Sequence, residues 1–351
     1  MNDSFWSRIR GFFARLFRRK PPEPGRFVAG RKFALRGWLA SAPWMWPARD
    51  YLVYVPAGHT RWKRRPLIVL IHGCRQTPEE LATGTRIAAL ADRNGWLVLL
   101  PRQTEKANPW RCWNWFDKAT SAGAGEAAIV AAQVRAVRRE YRAHPRHVFA
   151  VGMSAGGALA AALGVRHRKL FAGIFVHSGI ACGAATGPLK ALDVLSHGAD
   201  AAYERIAAAE RDEAPAGALP LPLIAIQGGH DEVVAEINAV QLVRQYLVLN
   251  RRLAPENLPR DELPAPDALA TQTLADGRTV TISDYRDGER VLVRMIRVPD
   301  LGHAWSGGDA ALPYNDPRPP DATALLGEFV VEQIRFRRAF GARRRSWLSR
   351  E

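Results

Sequence analysis

His147-Val148-Phe149-Ala150-Val151-Gly152-Met153-Ser154-Ala155-Gly156-Gly157-Ala158-Leu159 is the stretch on which the fold turns. Its first five residues are mostly apolar and read as a buried strand. The Ala-rich run from Ala155 to Arg168 reads as a helix. Between them lies Gly-x-Ser-x-Gly. The five-residue pattern alone is weak, because glycine and serine are common. A strand feeding directly into it and a helix leaving directly after it are what a nucleophile elbow requires. The turn is strained, so its neighbours must be small, and Gly152, Gly156 and Gly157 are. Ser154 then stands at a helix N-terminus, where backbone N–H groups favour negative charge. The bland alternative is a tight strand–helix turn with an incidental serine.

Outward from the elbow, strands alternate with helices. Tyr51–Val55, Pro66–Ile71, Trp96–Leu100, Phe171–Val176 and Pro222–Ile226 read as strands, several apolar on both faces. Helices are expected over 78–94, 126–141, 236–250 and 321–340. Asp276-Gly277 and Asp287-Gly288 mark hairpin turns within 273–298. The class is α/β, and the elbow makes it an α/β-hydrolase fold: a mostly parallel sheet with helices on both faces. Neither a repeat nor an internal linker is visible. A catalytic domain over 25–340 is expected between a basic segment, 1–24, and a basic tail, 341–351.

A serine hydroxyl needs a base. In this fold the order is Ser, acid, His, each from a loop after a strand. Leu223–Ile226 ends in Gln227-Gly228-Gly229-His230-Asp231, and Val291–Ile296 leads to Gly302-His303-Ala304. Asp231 is therefore the expected acid and His303 the expected base. Glu232 and Asp300 are rival carboxylates, and Asp231 could instead cap a helix. His72, His177 and His230 also lie at strand ends. The oxyanion donors are assigned to the backbone N–H groups of Ala155, after the nucleophile, and of Cys74, in the loop after Pro66–Ile71.

In order, His72-Gly73-Cys74-x-Gln76, Arg111-Cys112-Trp113-Asn114-Trp115-Phe116, Gly152-x-Ser154-Ala155-Gly156-Gly157, His177-Ser178-Gly179 and Gly302-His303-Ala304-Trp305-Ser306-Gly307-Gly308 resemble the esterase family of polyhydroxybutyrate (PHB) depolymerases, related to feruloyl and acetylxylan esterases. The resemblance spans about residues 50–335. It implies carboxylic-ester hydrolysis without a cofactor and supports the triad Ser154, Asp231, His303. Short hydroxyacyl or aryl esters, or oligomers of them, are the expected substrates. A peptidase or acyltransferase on the same fold is the alternative, and a non-catalytic surface-binding homologue is the reading from another class.

Trp110, Trp113, Trp115, Phe116 and Trp305 lie in loops of the catalytic edge. Trp113, Asn114 and Trp305 are taken as substrate-contacting residues, against the alternative that they only pack the loop. Cys74 and Cys112 are expected in contact, with a disulfide possible in an oxidising compartment. There is no CxxC and no Cys/His cluster, so no metal site is expected.

The net charge is +16, which suits nucleic acid, an anionic membrane surface or an acidic substrate. Much of it sits in the ends, with Arg8, Arg10, Arg15, Arg18, Arg19 and Lys20 at one and Arg343, Arg344 and Arg345 at the other. Phe5, Trp6, Ile9, Phe12, Phe13, Leu16 and Phe17 fall on one face of a helix over 1–20. That helix is expected to lie on an anionic membrane or another negatively charged apolar surface, against the alternatives of docking on the hydrolase core or a tail disordered in solution. Its arginines interrupt every apolar stretch, unlike a secretory signal. A cytoplasmic or peripheral-membrane location is expected, with an extracellular one as the alternative. No recognised nucleic-acid module is present, so no specific nucleic acid is expected.

Overall fold

Strands too apolar to leave either face in water form the centre of one sheet. In β3 (Arg65–Ile71), Leu67, Val69 and Ile71 enter one core and Ile68 and Leu70 the other. Burial on both faces requires helices on both. The structure is a computed structural model and describes residues 24–33, 48–200, 202–254 and 258–348. The helix expected over 1–20 lies outside the described residues.

Nine further strands join β3. They are β1 (Arg26–Phe33), β2 (Ala48–Val55), β4 (Leu97–Pro101), β5 (Ala143–Met153), β6 (Gly173–His177), β7 (Leu223–Gly228), β8 (Ala268–Thr273), β9 (Thr279–Asp287) and β10 (Arg290–Val298). Among the described residues they make a 10-stranded sheet in the order β1-β2-β4-β3-β5-β6-β7-β10-β9-β8. The block from β4 to β10 is parallel. β1 and β2 at one side, and the β8–β9 hairpin at the other, are antiparallel. Both Asp-Gly pairs fall at the expected hairpin turns, after β8 and after β9.

Helices α1 (Pro78–Gly84), α2 (Ile87–Asn94), α3 (Lys118–Ser121), α4 (Gly125–Glu140), α5 (Ala155–Arg166), α6 (Pro188–His197), α7 (Ala202–Asp212), α8 (Glu236–Leu249) and α9 (Ala322–Leu348) are the α-helices of the described residues. Val134, Leu159 and Tyr246 place α4, α5 and α8 against one face. Leu81, Leu90 and Phe329 place α1, α2 and α9 against the other. The two largest departures from expectation lie in helices. The helix expected over 78–94 is broken, because Arg86 adopts a left-handed φ of 53°. The last helix runs on to Leu348 rather than ending at Phe340.

Candidate active site

Ser154 sits between β5 and α5 with φ 58° and ψ −127°. A non-glycine residue there is strained, and the surroundings must hold it. They do so by close backbone approach. A Cβ on Gly152 would lie 2.2 Å from the Gly156 carbonyl oxygen, and one on Gly156 would lie 2.2 Å from that of Ile71. The Ser154 N–H donates to the His177 carbonyl at 3.0 Å, which pins the turn to β6.

Asp231 and His303, 72 residues apart, meet because β7 and β10 are parallel neighbours. Their following loops are tied together, Gly229 N–H to Val298 O at 2.9 Å and His230 N–H to Leu301 O at 3.1 Å. His303 Nδ1 lies 2.8 Å from Asp231 Oδ2 and 3.0 Å from Oδ1. Oδ1 also accepts the N–H groups of Val233 and Val234 at 3.0 and 2.8 Å. Burial pushes the Asp231 carboxyl up, but the hydrogen bond and charge of His303, the Val234 N–H and the Ser178 hydroxyl outweigh it and lower its pKa. The carboxylate is thus ionised and aimed at the imidazole.

Ser154 and His303 line one cavity of about 230 Å³, with Gly73, Cys74, Trp115 and Tyr314. Ser154 Oγ makes no direct hydrogen bond to His303 in this structure; such contacts tighten when substrate binds. Cys74 and Ala155 border the same cavity, and their backbone N–H groups have no acceptor among the described residues. Two donors beside a serine are the requirement for an oxyanion hole.

The rivals are otherwise engaged. Glu232 is exposed, and Asp300 pairs with Arg278 and Arg318. His230 is exposed. His72 is buried, with Nε2 accepting from the Gln103 N–H at 3.1 Å and Nδ1 2.8 Å from Gly73 O. His177 is buried too, with Nε2 3.3 Å from the Ser306 N–H and Nδ1 3.2 Å from Ser178 Oγ. Nε2 must accept from Ser306, so Nδ1 carries the proton toward Ser178. Ser178 in turn hydrogen-bonds Asp231. His177 therefore stands behind Asp231, two hydrogen bonds from it and three from His303.

Burial holds these imidazoles neutral, His72 down to about 4 and His177 down to about 3. In an unfolded chain they protonate as pH falls through about 6.5. Between 6.5 and 4 the unfolded state therefore binds more protons, and stability falls as pH falls. The denaturant midpoint is expected to drop between pH 7 and 5. A His72→Gln variant should lose about one proton from that slope. An unchanged slope would place the proton uptake elsewhere.

The three residues taken as substrate-contacting require correction. Trp113 is 0% exposed and Trp305 1%. They pack against His72 and His177, with ring centroids 5.6 and 5.4 Å apart, and neither lines the cavity. Their indoles fill space beneath the catalytic loops. Asn114 binds Glu126 through its N–H and side chain, at 2.7 and 3.0 Å, and borders a separate cavity of about 640 Å³. Leu195, Val233 and Tyr314, which the sequence did not single out, line the serine cavity instead.

Cys74 and Cys112 form a disulfide with Cα atoms 4.1 Å apart. It joins the oxyanion loop to the tryptophan loop across 38 residues. Closing a loop of that length stabilises by about 4 kcal/mol on chain entropy. A Cys112→Ser variant is expected to unfold at lower denaturant by an amount equivalent to about 2–4 kcal/mol. The loops are also held by Arg75 N–H to Trp110 O at 2.7 Å, so some activity should persist. Equal midpoints with and without reductant would contradict the expectation.

The family model described as esterase PHB depolymerase matches residues 49–257. Poly(3-hydroxyalkanoate) depolymerase C of Paucimonas lemoignei is 30% identical over 200 residues, 55% of this chain and 46% of that protein. Feruloyl esterase B of Thermothelomyces thermophilus is 29% identical over 122 residues, 35% of this chain and 42% of that one. The chain thus spans less than half the length of these curated relatives. An acetyl xylan esterase from Aspergillus awamori superposes with a TM-score of 0.59 at 19% identity, covering 73% of this chain and 89% of that one, which shows a shared fold. The matched range includes Ser154 and Asp231, and His303 lies beyond it. By these matches the chain belongs to the esterase family of PHB depolymerases.

Proposed function

We propose that the protein is a serine carboxylesterase acting on short hydroxyacyl or aryl esters through an acyl-enzyme at Ser154. The observation that carries this reading is the meeting of a strained serine, an Asp231-bound imidazole and two unpaired N–H groups at one cavity. Ser154 Oγ attacks the ester carbonyl while His303 Nε2 takes its proton. Cys74 and Ala155 N–H groups receive the developing oxyanion. His303 then gives the proton to the leaving alkoxide, and water repeats the sequence to release the acid.

The cavity supports the short acyl part. Its volume of about 230 Å³ lies below the common range for small-molecule sites. Turnover of p-nitrophenyl esters is expected to peak at acyl chains of about two to four carbons and to fall steeply beyond. Peak turnover on a long-chain ester, or hydrolysis of a peptide with none of an ester, would overturn the reading. The relatives' names include a poly(3-hydroxyalkanoate) depolymerase and a feruloyl esterase. A soluble hydroxybutyrate trimer beside crystalline polymer tests whether polymer is attacked. For location, the disulfide favours an oxidising compartment over the cytoplasm.

A further inference from the structure

The catalytic loops follow the C-terminal ends of β3, β5, β7 and β10. The opposite edge, at the N-terminal ends of the same strands, is built differently. Arg64 precedes β3 and Arg142 precedes β5. With Arg135, Arg138 and Arg139 of α4 they line a concavity of about 460 Å³. None of these five arginines makes an ion pair with a described residue. Glu140, the carboxylate of the last α4 turn, is hydrogen-bonded by Tyr141. Arg146 and Arg338 extend the cationic field around the stacked pair His144 and His147, centroids 3.7 Å apart. Burial and these neighbours hold His147 neutral, down to about 3.

Such a cluster keeps like charges together at a cost, which an anionic partner relieves. Large apolar side chains stand beside it in water. Trp62 is 96% exposed within His59-Thr60-Arg61-Trp62-Lys63-Arg64, the turn before β3. Phe27 is 46% exposed near the start of β1, beside Tyr54 close to the end of β2. Phe340 is 40% exposed and stacks on Phe336, whose ring lies under Arg290 at the start of β10. All three lie along the arginine edge. The segment before β1, basic and aromatic in sequence, also joins the described fold here, and the last part of α9 carries Arg343, Arg344, Arg345 and Trp347.

We propose that this edge docks on an anionic phospholipid bilayer, with Trp62 in the headgroup region and Arg64, Arg135, Arg138, Arg139 and Arg142 on the phosphates. A nucleic-acid duplex, bound through its phosphates, would need the arginines but leave Trp62, Phe27 and Phe340 unused. An interface that is polar outside and apolar a few ångströms deeper uses both. Docked this way, the catalytic cavity faces the water.

The test is co-sedimentation of the full-length protein with phosphatidylcholine vesicles, with and without 30% phosphatidylglycerol. The wild type should bind the anionic vesicles, less so at high salt, and not the neutral ones. Each basic contact near such a surface is worth about fivefold in partition. Reversing two, Arg138→Glu with Arg142→Glu, should lower partition at least about tenfold, and Trp62→Ala should lower it severalfold. Hydrolysis of a soluble p-nitrophenyl ester should be unchanged in both variants, which verifies folding. Three outcomes overturn the proposal. The wild type ignores anionic vesicles; or both variants bind as the wild type does; or Trp62→Ala has no effect and duplex DNA binds in place of the vesicles.

Discussion

Replacing Ser154 with alanine is expected to lower kcat for ester hydrolysis by about 10⁶ while leaving the fold intact. The size follows from the architecture. Removing the nucleophile ends the acyl-enzyme route and leaves only binding and the two N–H donors, which sustain a small residual rate. Nothing structural depends on the hydroxyl: Ser154 Oγ has no hydrogen bond among the described residues, and the turn is held by the Ser154 N–H, which alanine retains. Alanine inherits the φ of 58° and adds no new strain, since serine also carries a Cβ. A fluorophosphonate probe should label the wild type and fail on the variant. Labelling at a different serine, or a loss of only tenfold, would show that Ser154 is not the nucleophile.

An Asp231→Asn exchange is expected to cost about 10⁴ in kcat with little loss of structure. Asn Oδ1 can still accept from Val233 and Val234, as Asp231 Oδ1 does at 3.0 and 2.8 Å. That choice turns the amide NH₂ toward His303 Nδ1. The ring must then accept at Nδ1 and carry its proton on Nε2, where it cannot take one from Ser154. The defect is one of tautomer and of lost charge, with every atom close to its place. Kinetics on p-nitrophenyl acetate, with circular dichroism as the folding control, measures it. A crippled Glu232→Gln beside a healthy Asp231→Asn would reassign the acid.

How far the residues announced this site depends on what kind of contact was involved. The elbow was legible because its requirement is local: a strand, small residues, a serine and a helix occupy thirteen consecutive positions. Asp231 and His303 were legible because strand ends recur in a fixed chain order. The tryptophans were not. A large aromatic in a catalytic loop can face the substrate or the core, and only tertiary contacts with His72 and His177 send Trp113 and Trp305 inward. Leu195, Val233 and Tyr314 reach the cavity from three distant segments whose local sequence carries no shared pattern. The break between α1 and α2 escaped notice for a similar reason. The Arg86 backbone turns left-handed against propensity, and the Arg86 guanidinium ties to the Gly307 carbonyl far along the chain.

The acid and base loops touch each other main chain to main chain. A Cβ on Gly228 would lie 2.2 Å from Leu301 O, and one on Gly229 2.5 Å from Pro299 O. The chain leaves this seam after Asp231 and returns to it at Val298. Among the described residues β8 is largely exposed and pairs only with β9. The turn between β8 and β9 is tied back to the seam, because Arg278 and Arg318 both pair with Asp300 and Arg318 also pairs with Asp276. The turn between β9 and β10 lies at the opposite end of those strands, so geometry at the seam is insulated from its length. Evolution can lengthen, trim or decorate that turn while the proton path stays in register, and a protein engineer can do the same. Asp287-Gly288, with open space around the glycine, is the natural place to splice in a reporter peptide or a substrate-binding module.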